Sequence, residues 1–191
     1  QEAKDFIKFA YELSEKYDTP VFLRTTTKLA HSQSLVELSE RIVPEDKTYD
    51  RDVKKYVMMP GSAIGRHVKV EEREIKMQED ASSFPINKIE YADKKIGFIT
   101  SGIPYQYVKE AFPEASVLKL GIINPLPEKL IRDFVANVET VYVVEELEPV
   151  IEEQIKAWGL NVKGKSSFTK QGEYSANLLL KSVKGQNATS S

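Results

Sequence analysis

The sequence predicts an α/β domain on a mainly parallel sheet with helices on both faces, a three-layer arrangement. Three observations carry that reading. Short β-branched runs at residues 96–100, 117–120 and 141–145 are separated by two amphipathic helical patterns, the order of a βαβαβ unit. The first run ends in Thr100, Ser101 and Gly102 with Pro104 close behind, so a small-residue turn leads into a helix N-terminus. Pro113 then closes that helix, and Pro125 and Pro127 open the next.

Taken in order, residues 2–17 place Phe6, Ala10, Leu13 and Tyr17 on one helical face. After Pro20, the apolar run Val21, Phe22, Leu23 reads as one buried strand. A helix and a strand cannot make a core alone, because a parallel sheet needs neighbouring strands and two covered faces. This pair is expected to join material outside the chain or the later sheet. Residues 29–92 read as an extended connector, charged and interrupted by Pro44, Pro60 and Pro85. Within it, residues 66–80 are densely charged at helical spacing, with Val68, Ile75 and Met77 as a modest apolar contribution, so a solvent-facing helix is expected.

The compact domain is expected over residues 93–185. Its second helix carries Leu130, Ile131, Phe134, Val135 and Val138 on one side, the stripe that covers a sheet face. A third helix is expected over 149–158, with Glu148, Glu152 and Glu153 at its positive end and Gly159 as its stop. Residues 160–162 can add a strand. Residues 186–191 read as a disordered tail, and the sequon at Asn187 reads as chance. Gln1 stands where an initiator Met would be, and the chain reads as excised from something longer.

Composition excludes several classes. Lys plus Arg number 27 against 29 Asp plus Glu, a net charge of -2, which gives no field suited to nucleic acid or an anionic membrane. There is no cysteine, so this chain carries no disulfide, thiolate zinc site, cysteine-held iron–sulfur cluster or thiol nucleophile. No apolar run has the roughly 18 to 20 residues of a membrane-spanning helix. Cytoplasmic residence is expected.

Residues 159–166, Gly-Leu-Asn-Val-Lys-Gly-Lys-Ser, satisfy the phosphate-loop pattern in letters. That loop needs a strand before its first glycine and a helix beginning at its lysine, so that N–H groups converge on phosphate. Here a helix precedes Gly159 and no helical pattern follows Lys165, so nucleotide binding is rejected. His31 and His67 lie apart with no second ligand at metal-site spacing, so no metal is assigned. Arg24, Thr25 and His31 form a cation-and-hydroxyl stretch leaving a strand end, assigned to a polar domain junction. The Ser62 of Gly61-Ser62-Ala63-Ile64-Gly65 sits one position early for a nucleophile elbow. Glu145, Glu146 and Glu148 read as ordinary carboxylates before a helix rather than an acid/base pair. Thr100, Ser101 and Gly102 remain as the anion or partner contact, because strand carboxyl ends beside helix N-termini are where ligands dock in parallel sheets.

The run Ile96-Gly97-Phe98-Ile99-Thr100-Ser101-Gly102-Ile103, with Tyr105-Gln106-Tyr107-Val108-Lys109, resembles the alpha subunit of indolepyruvate ferredoxin oxidoreductase. The resemblance continues through Leu118-Lys119-Leu120-Gly121, residues 125–130, Val144-Glu145-Glu146-Leu147 and residues 151–155. Upstream it takes in residues 13–17, Arg24-Thr25-Thr26-Thr27, His31-Ser32, Arg66-His67 and Glu71-Glu72-Arg73. It implies a middle segment: residues 1–28 as the last helix and strand of a thiamine-diphosphate pyrimidine-binding domain, and 93–185 as a domain of transketolase C-terminal type.

It further implies a parent enzyme that oxidatively decarboxylates arylpyruvates to aryl-acetyl-CoA, with thiamine diphosphate, magnesium and iron–sulfur clusters. The implied partners are the remaining domains of the alpha subunit, a beta subunit and ferredoxin, with coenzyme A as a candidate ligand. No segment matches the family's motif for the aminopyrimidine carboxylate or the magnesium site. No catalytic residue is therefore transferred, and none of these cofactors is expected on this segment alone. The competing reading is a free-standing α/β module for a small anion or a protein partner.

Overall fold

A computed structural model describes residues 1–185. The expected tail at 186–191 lies outside the described residues. The chain forms two compact units, Gln1–Arg73 and from Glu74 onward.

In the N-terminal unit, α1 (Glu2–Tyr17) starts with Glu2 and Asp5 at its positive end and closes on Asp18, whose φ of 50° is left-handed. It buries Leu13 and Tyr17, part of the face expected from the spacing. The short α2 (Thr27–His31) and α3 (Val53–Tyr56) are each capped by a side chain, Thr26 and Asp52 respectively. The expected strand at Val21, Phe22 and Leu23 does not form among the described residues. Phe22 is 93% exposed and no ladder reaches the run. A strand is stable only beside another strand, and this unit has none to offer.

Helix α4 (Pro60–Ala81) is longer than the expected 66–80. Pro60, read as an interruption, instead opens it, since a first-turn proline forfeits no intrahelical bond. Its last residue, Ala81, is fully buried. Residues 88–90, assigned to the connector, instead form β1 (Lys88–Glu90), which pairs antiparallel with β3 (Ala115–Leu120). Three residues with one β-branched side chain give no readable alternation, so only the pairing reveals this strand.

The remaining elements are β2 (Asp93–Ser101), α5 (Pro104–Ala111), α6 (Glu128–Ala136), β4 (Thr140–Val144), α7 (Val150–Ala157) and α8 (Ala176–Lys184). The sheet order is β1-β3-β2-β4, with β2 parallel to both neighbours. Alternation along the buried strands divides the core into two faces. Phe98, Val117, Tyr142 and Val144 pack with Val108, Phe168, Tyr174 and Leu179 on the α5 and α8 side. Ile99, Leu118, Leu120, Val141 and Val143 pack with Ile131, Phe134, Ile151 and Ile155 on the α6 and α7 side. Strands covered on both faces read as continuous apolar runs, and this is the α/β three-layer fold expected.

Two departures concern the edges. The strand expected at 160–162 reduces to one bridge beside β4, where Lys163 N donates to Val141 O at 2.9 Å and Val143 N to Lys163 O at 2.7 Å. Gly164 then turns the chain away. Helix α8, absent from the expected elements, starts at Ser175, whose Oγ accepts from Leu178 N at 3.3 Å.

Candidate functional site

Because β2, β3 and β4 run in parallel, their carboxyl ends share one edge of the sheet, and the turns that leave them meet there. At the end of β2, Thr100 is fully buried and its hydroxyl donates to Val144 O at 2.9 Å. That bond ties β2 to β4 and leaves the hydroxyl facing its neighbour. Ser101 is half-buried, and Gly102 is exposed at a φ of 64°, a conformation favouring glycine. Ile103 holds the N-cap position of α5 without a side-chain capping bond, and Pro104 follows in the first turn.

At the end of β3, Asn87 closes the turn. Its Oδ1 accepts from Gly121 N at 2.8 Å and Ile122 N at 3.3 Å, while its Nδ2 donates to Ala81 O at 2.9 Å. The close approach of Ile86 to Gly121 leaves no room for a Cβ there.

The densest polar constellation lies at the end of β4. Glu145 accepts from Ile151 N and Glu152 N, each at 2.9 Å, capping the first turn of α7. Glu152, only 4% exposed, accepts from Lys165 N at 2.7 Å and from Lys156 Nζ at 2.5 Å. Lys165 Nζ donates to Glu145 O and to Tyr174 Oη, the latter at 2.9 Å. Tyr174 Oη donates to Thr169 O at 2.5 Å, and Tyr174 N to Glu146 Oε1 at 2.8 Å. Lys170 pairs with Glu148 at 2.7 Å. The turn thus ties residues 163–174 down at several points.

This network accounts for the phosphate-loop letters. Gly159, at a φ of 79°, ends α7, and Gly164 lies so close to the Glu152 carboxyl that a Cβ would overlap it. The Lys165 N–H faces a carboxylate where a phosphate loop would face its ligand. The sequence showed Lys165 only as the lysine of the phosphate-loop letters, and its place in this network, Tyr174 and the burial of Glu152 were not legible there. The signal was present in Gly164, whose glycine the phosphate-loop geometry did not explain.

Electrostatics follow from burial. Desolvation raises the Glu145 pKa, against the two N–H donors that favour its anion. It also opposes ionisation of Glu152, but Lys156 and the Lys165 N–H outweigh it and hold that carboxyl below its usual range. Lys165 is lowered by burial. Burial, with Glu146 and Glu145 nearby, pushes the Tyr174 phenol up to about 12. Folding therefore favours the neutral phenol. The resulting stabilisation is complete below pH 10 and fades as pH rises through 10 towards about 12. A phenolate absorbance titration should show a component near pH 12 that Tyr174→Phe removes; an unchanged profile in the variant would contradict the assignment.

Arg24, Thr25 and His31 belong to the N-terminal unit, where all are exposed, whereas Thr100, Ser101 and Gly102 belong to the other. Thr26 acts locally as a helix cap, its Oγ1 accepting from Leu29 N at 3.3 Å. His67 pairs with Glu71 at 3.3 Å on one helix face. Among the described residues no group of three or more His, Cys, Asp or Glu side chains converges as a metal site. Among the same residues no helix is long and apolar enough to cross a membrane.

No family model matches the chain. It is 42% identical over 179 residues to indolepyruvate oxidoreductase subunit IorA of Pyrococcus abyssi, covering 85% of this chain and 28% of that protein. It is 35% identical over 187 residues to the IorA subunit of Archaeoglobus fulgidus, covering 93% and 30%. The chain thus spans under a third of the length of these relatives. Among solved structures it resembles a 2-oxoglutarate:ferredoxin oxidoreductase from Magnetococcus marinus, solved with 2-oxoglutarate, coenzyme A and succinyl-CoA bound. That match has a TM-score of 0.52 and 18% identity, covering 67% of this chain and 24% of the other, and bears on the fold alone.

Proposed function

From the premise that this chain is related to a segment of indolepyruvate oxidoreductase subunit IorA, we propose that it is a structural and subunit-interface segment of such an enzyme. The observation that carries the reading is the identity of 42% over 85% of the chain. The parent enzyme would oxidatively decarboxylate arylpyruvates to aryl-acetyl-CoA, with the beta subunit and ferredoxin as partners. Residues 1–28 would complete a pyrimidine-binding domain, and 93–185 would form the transketolase C-terminal-like domain. The exposed Val21, Phe22 and Leu23 support the first assignment, because such a run is suited to a sheet supplied from elsewhere.

Thiamine diphosphate, magnesium and iron–sulfur clusters would be held by other parts of the parent enzyme. This chain has no cysteine, and its described residues supply no converging metal-ligand set. No step through those groups is assigned to it. The purified chain, given an arylpyruvate, coenzyme A, the cofactors and an electron acceptor, should show no turnover; measurable product would overturn the assignment.

Ser101 and Gly102, beside the start of α5, are the proposed anion or partner contact, with coenzyme A as the candidate ligand. Thr100 shapes their turn through its bond to Val144. In the complete enzyme, Ser101→Glu should weaken coenzyme A binding by about tenfold, the effect of roughly 1.4 kcal/mol. Unchanged affinity would dismiss the contact.

A further inference from the structure

Residues 35–47 of the N-terminal unit run alongside α1 in the same direction, fastened by polar groups. Gln1 Oε1 accepts from Glu37 N at 2.8 Å, Lys4 donates to Glu37 O, Lys8 donates to Ser39 Oγ at 2.7 Å, and Lys47 pairs with Glu15. These bonds tether the segment to α1 through the Glu37 backbone and the Ser39 and Lys47 side chains. Its aliphatic side chains stay uncovered: Leu35 is 98% exposed, Leu38 92%, Ile42 86%, Val43 74% and Val36 48%. Scattered exposed aliphatic residues are ordinary, but a series on one tethered segment marks a contact surface.

We propose that this stretch of exposed aliphatic residues, 35–43, docks into an apolar groove on the part of the same subunit that lies outside this chain. The proposal rests on the reading of the chain as a segment of a longer subunit, and the relatives, of which it spans 28% and 30%, carry ample sequence to supply the groove. Five aliphatic side chains fall well short of the roughly 1,200 Å² that a stable independent interface buries. The surface thus completes a contact within one polypeptide and does not pair two copies. Glu40 and Arg41, the charged side chains between Leu38 and Ile42, offset one another, so the groove is selected by shape and apolarity.

Hydrogen exchange read by mass spectrometry, on the 191-residue chain and on the complete subunit that contains it, tests this. Amides of residues 35–43 should exchange about tenfold more slowly in the complete subunit. The pair Leu38→Glu and Ile42→Glu should abolish the slowing while leaving the Tm of the isolated chain unchanged. Equal exchange in both proteins would overturn the proposal and leave the segment reading standing. Protection in the isolated chain that grows with its concentration would identify a second copy as the occupant and overturn it too. A reading frame that closes on both sides of this chain would overturn the segment reading and this proposal together.

Discussion

Replacing Phe134 by alanine is expected to destabilise the C-terminal unit by about 4 kcal/mol and to lower its Tm by roughly 15 °C. Phe134 is fully buried on the inner face of α6 and stacks on Tyr91 with ring centroids 5.9 Å apart. Its ring also lies against Gly97, where an added Cβ would come within 3.0 Å of Cζ. The glycine and the phenylalanine are thus one packing solution: β2 approaches α6 closely because Gly97 has no side chain, and the ring fills the space. Truncation opens a cavity that close-packed neighbours refill only in part. Phe134→Leu should recover much of the loss, since it restores most of the volume. Calorimetry on the three proteins would check this; an alanine variant within about 1 kcal/mol of the parent would mean that α6 collapses freely onto the sheet, contrary to this packing.

Glu152→Ala is expected to cost about 3 kcal/mol, the lower end of the range for breaking a buried pair, because Lys156 is half-exposed and can turn to water. The damage comes from the Lys165 N–H, left without its acceptor, and from the space opened beside Gly164. The same carboxylate gives a pH signature. Its folded pKa lies below the unfolded value of 4.5, so its stabilisation is complete above that pH and is lost as pH falls further. Glu145 acts in the opposite sense: its raised pKa favours the folded state at acid pH, and that benefit fades as pH rises above 4.5. Glu152→Gln should therefore lose less stability on acidification below pH 4.5 than the parent does. Parallel acid-unfolding curves for the two proteins would show that Glu152 is not the titrating partner.

Both predictions fall on groups that the sequence made visible to different degrees. The Phe134 stripe was legible because helical periodicity reports which face must be covered, and β2 to β4 were legible because strands buried on both faces leave continuous apolar runs. The turn Thr100, Ser101, Gly102 was legible too, since glycine and proline punctuate a strand-to-helix crossing. Glu152 read as a carboxylate near a helix start, which it is, but its burial depends on Gly164 and Lys165 returning from beyond α7. The phosphate-loop letters lack the flanking strand and helix that the loop requires, and the structure supplies separate reasons for each glycine.

The sequence by itself determined the order of elements from β2 to α7, the parallel core, the likeness to one oxidoreductase subunit and, through the absence of cysteine, which chemistry this chain cannot carry. These properties are written in local periodicity, composition or motif, which need no knowledge of distant partners. Only the tertiary structure decided that Lys88–Glu90 joins the sheet, that Val21, Phe22 and Leu23 stay unpaired, and that Thr100 bonds β4. It alone also assembled Glu145, Glu152, Lys165 and Tyr174 into one network. The physical reason is common to all four: strand pairing and buried hydrogen bonds depend on groups far apart in the chain, and no local pattern records which of them will meet.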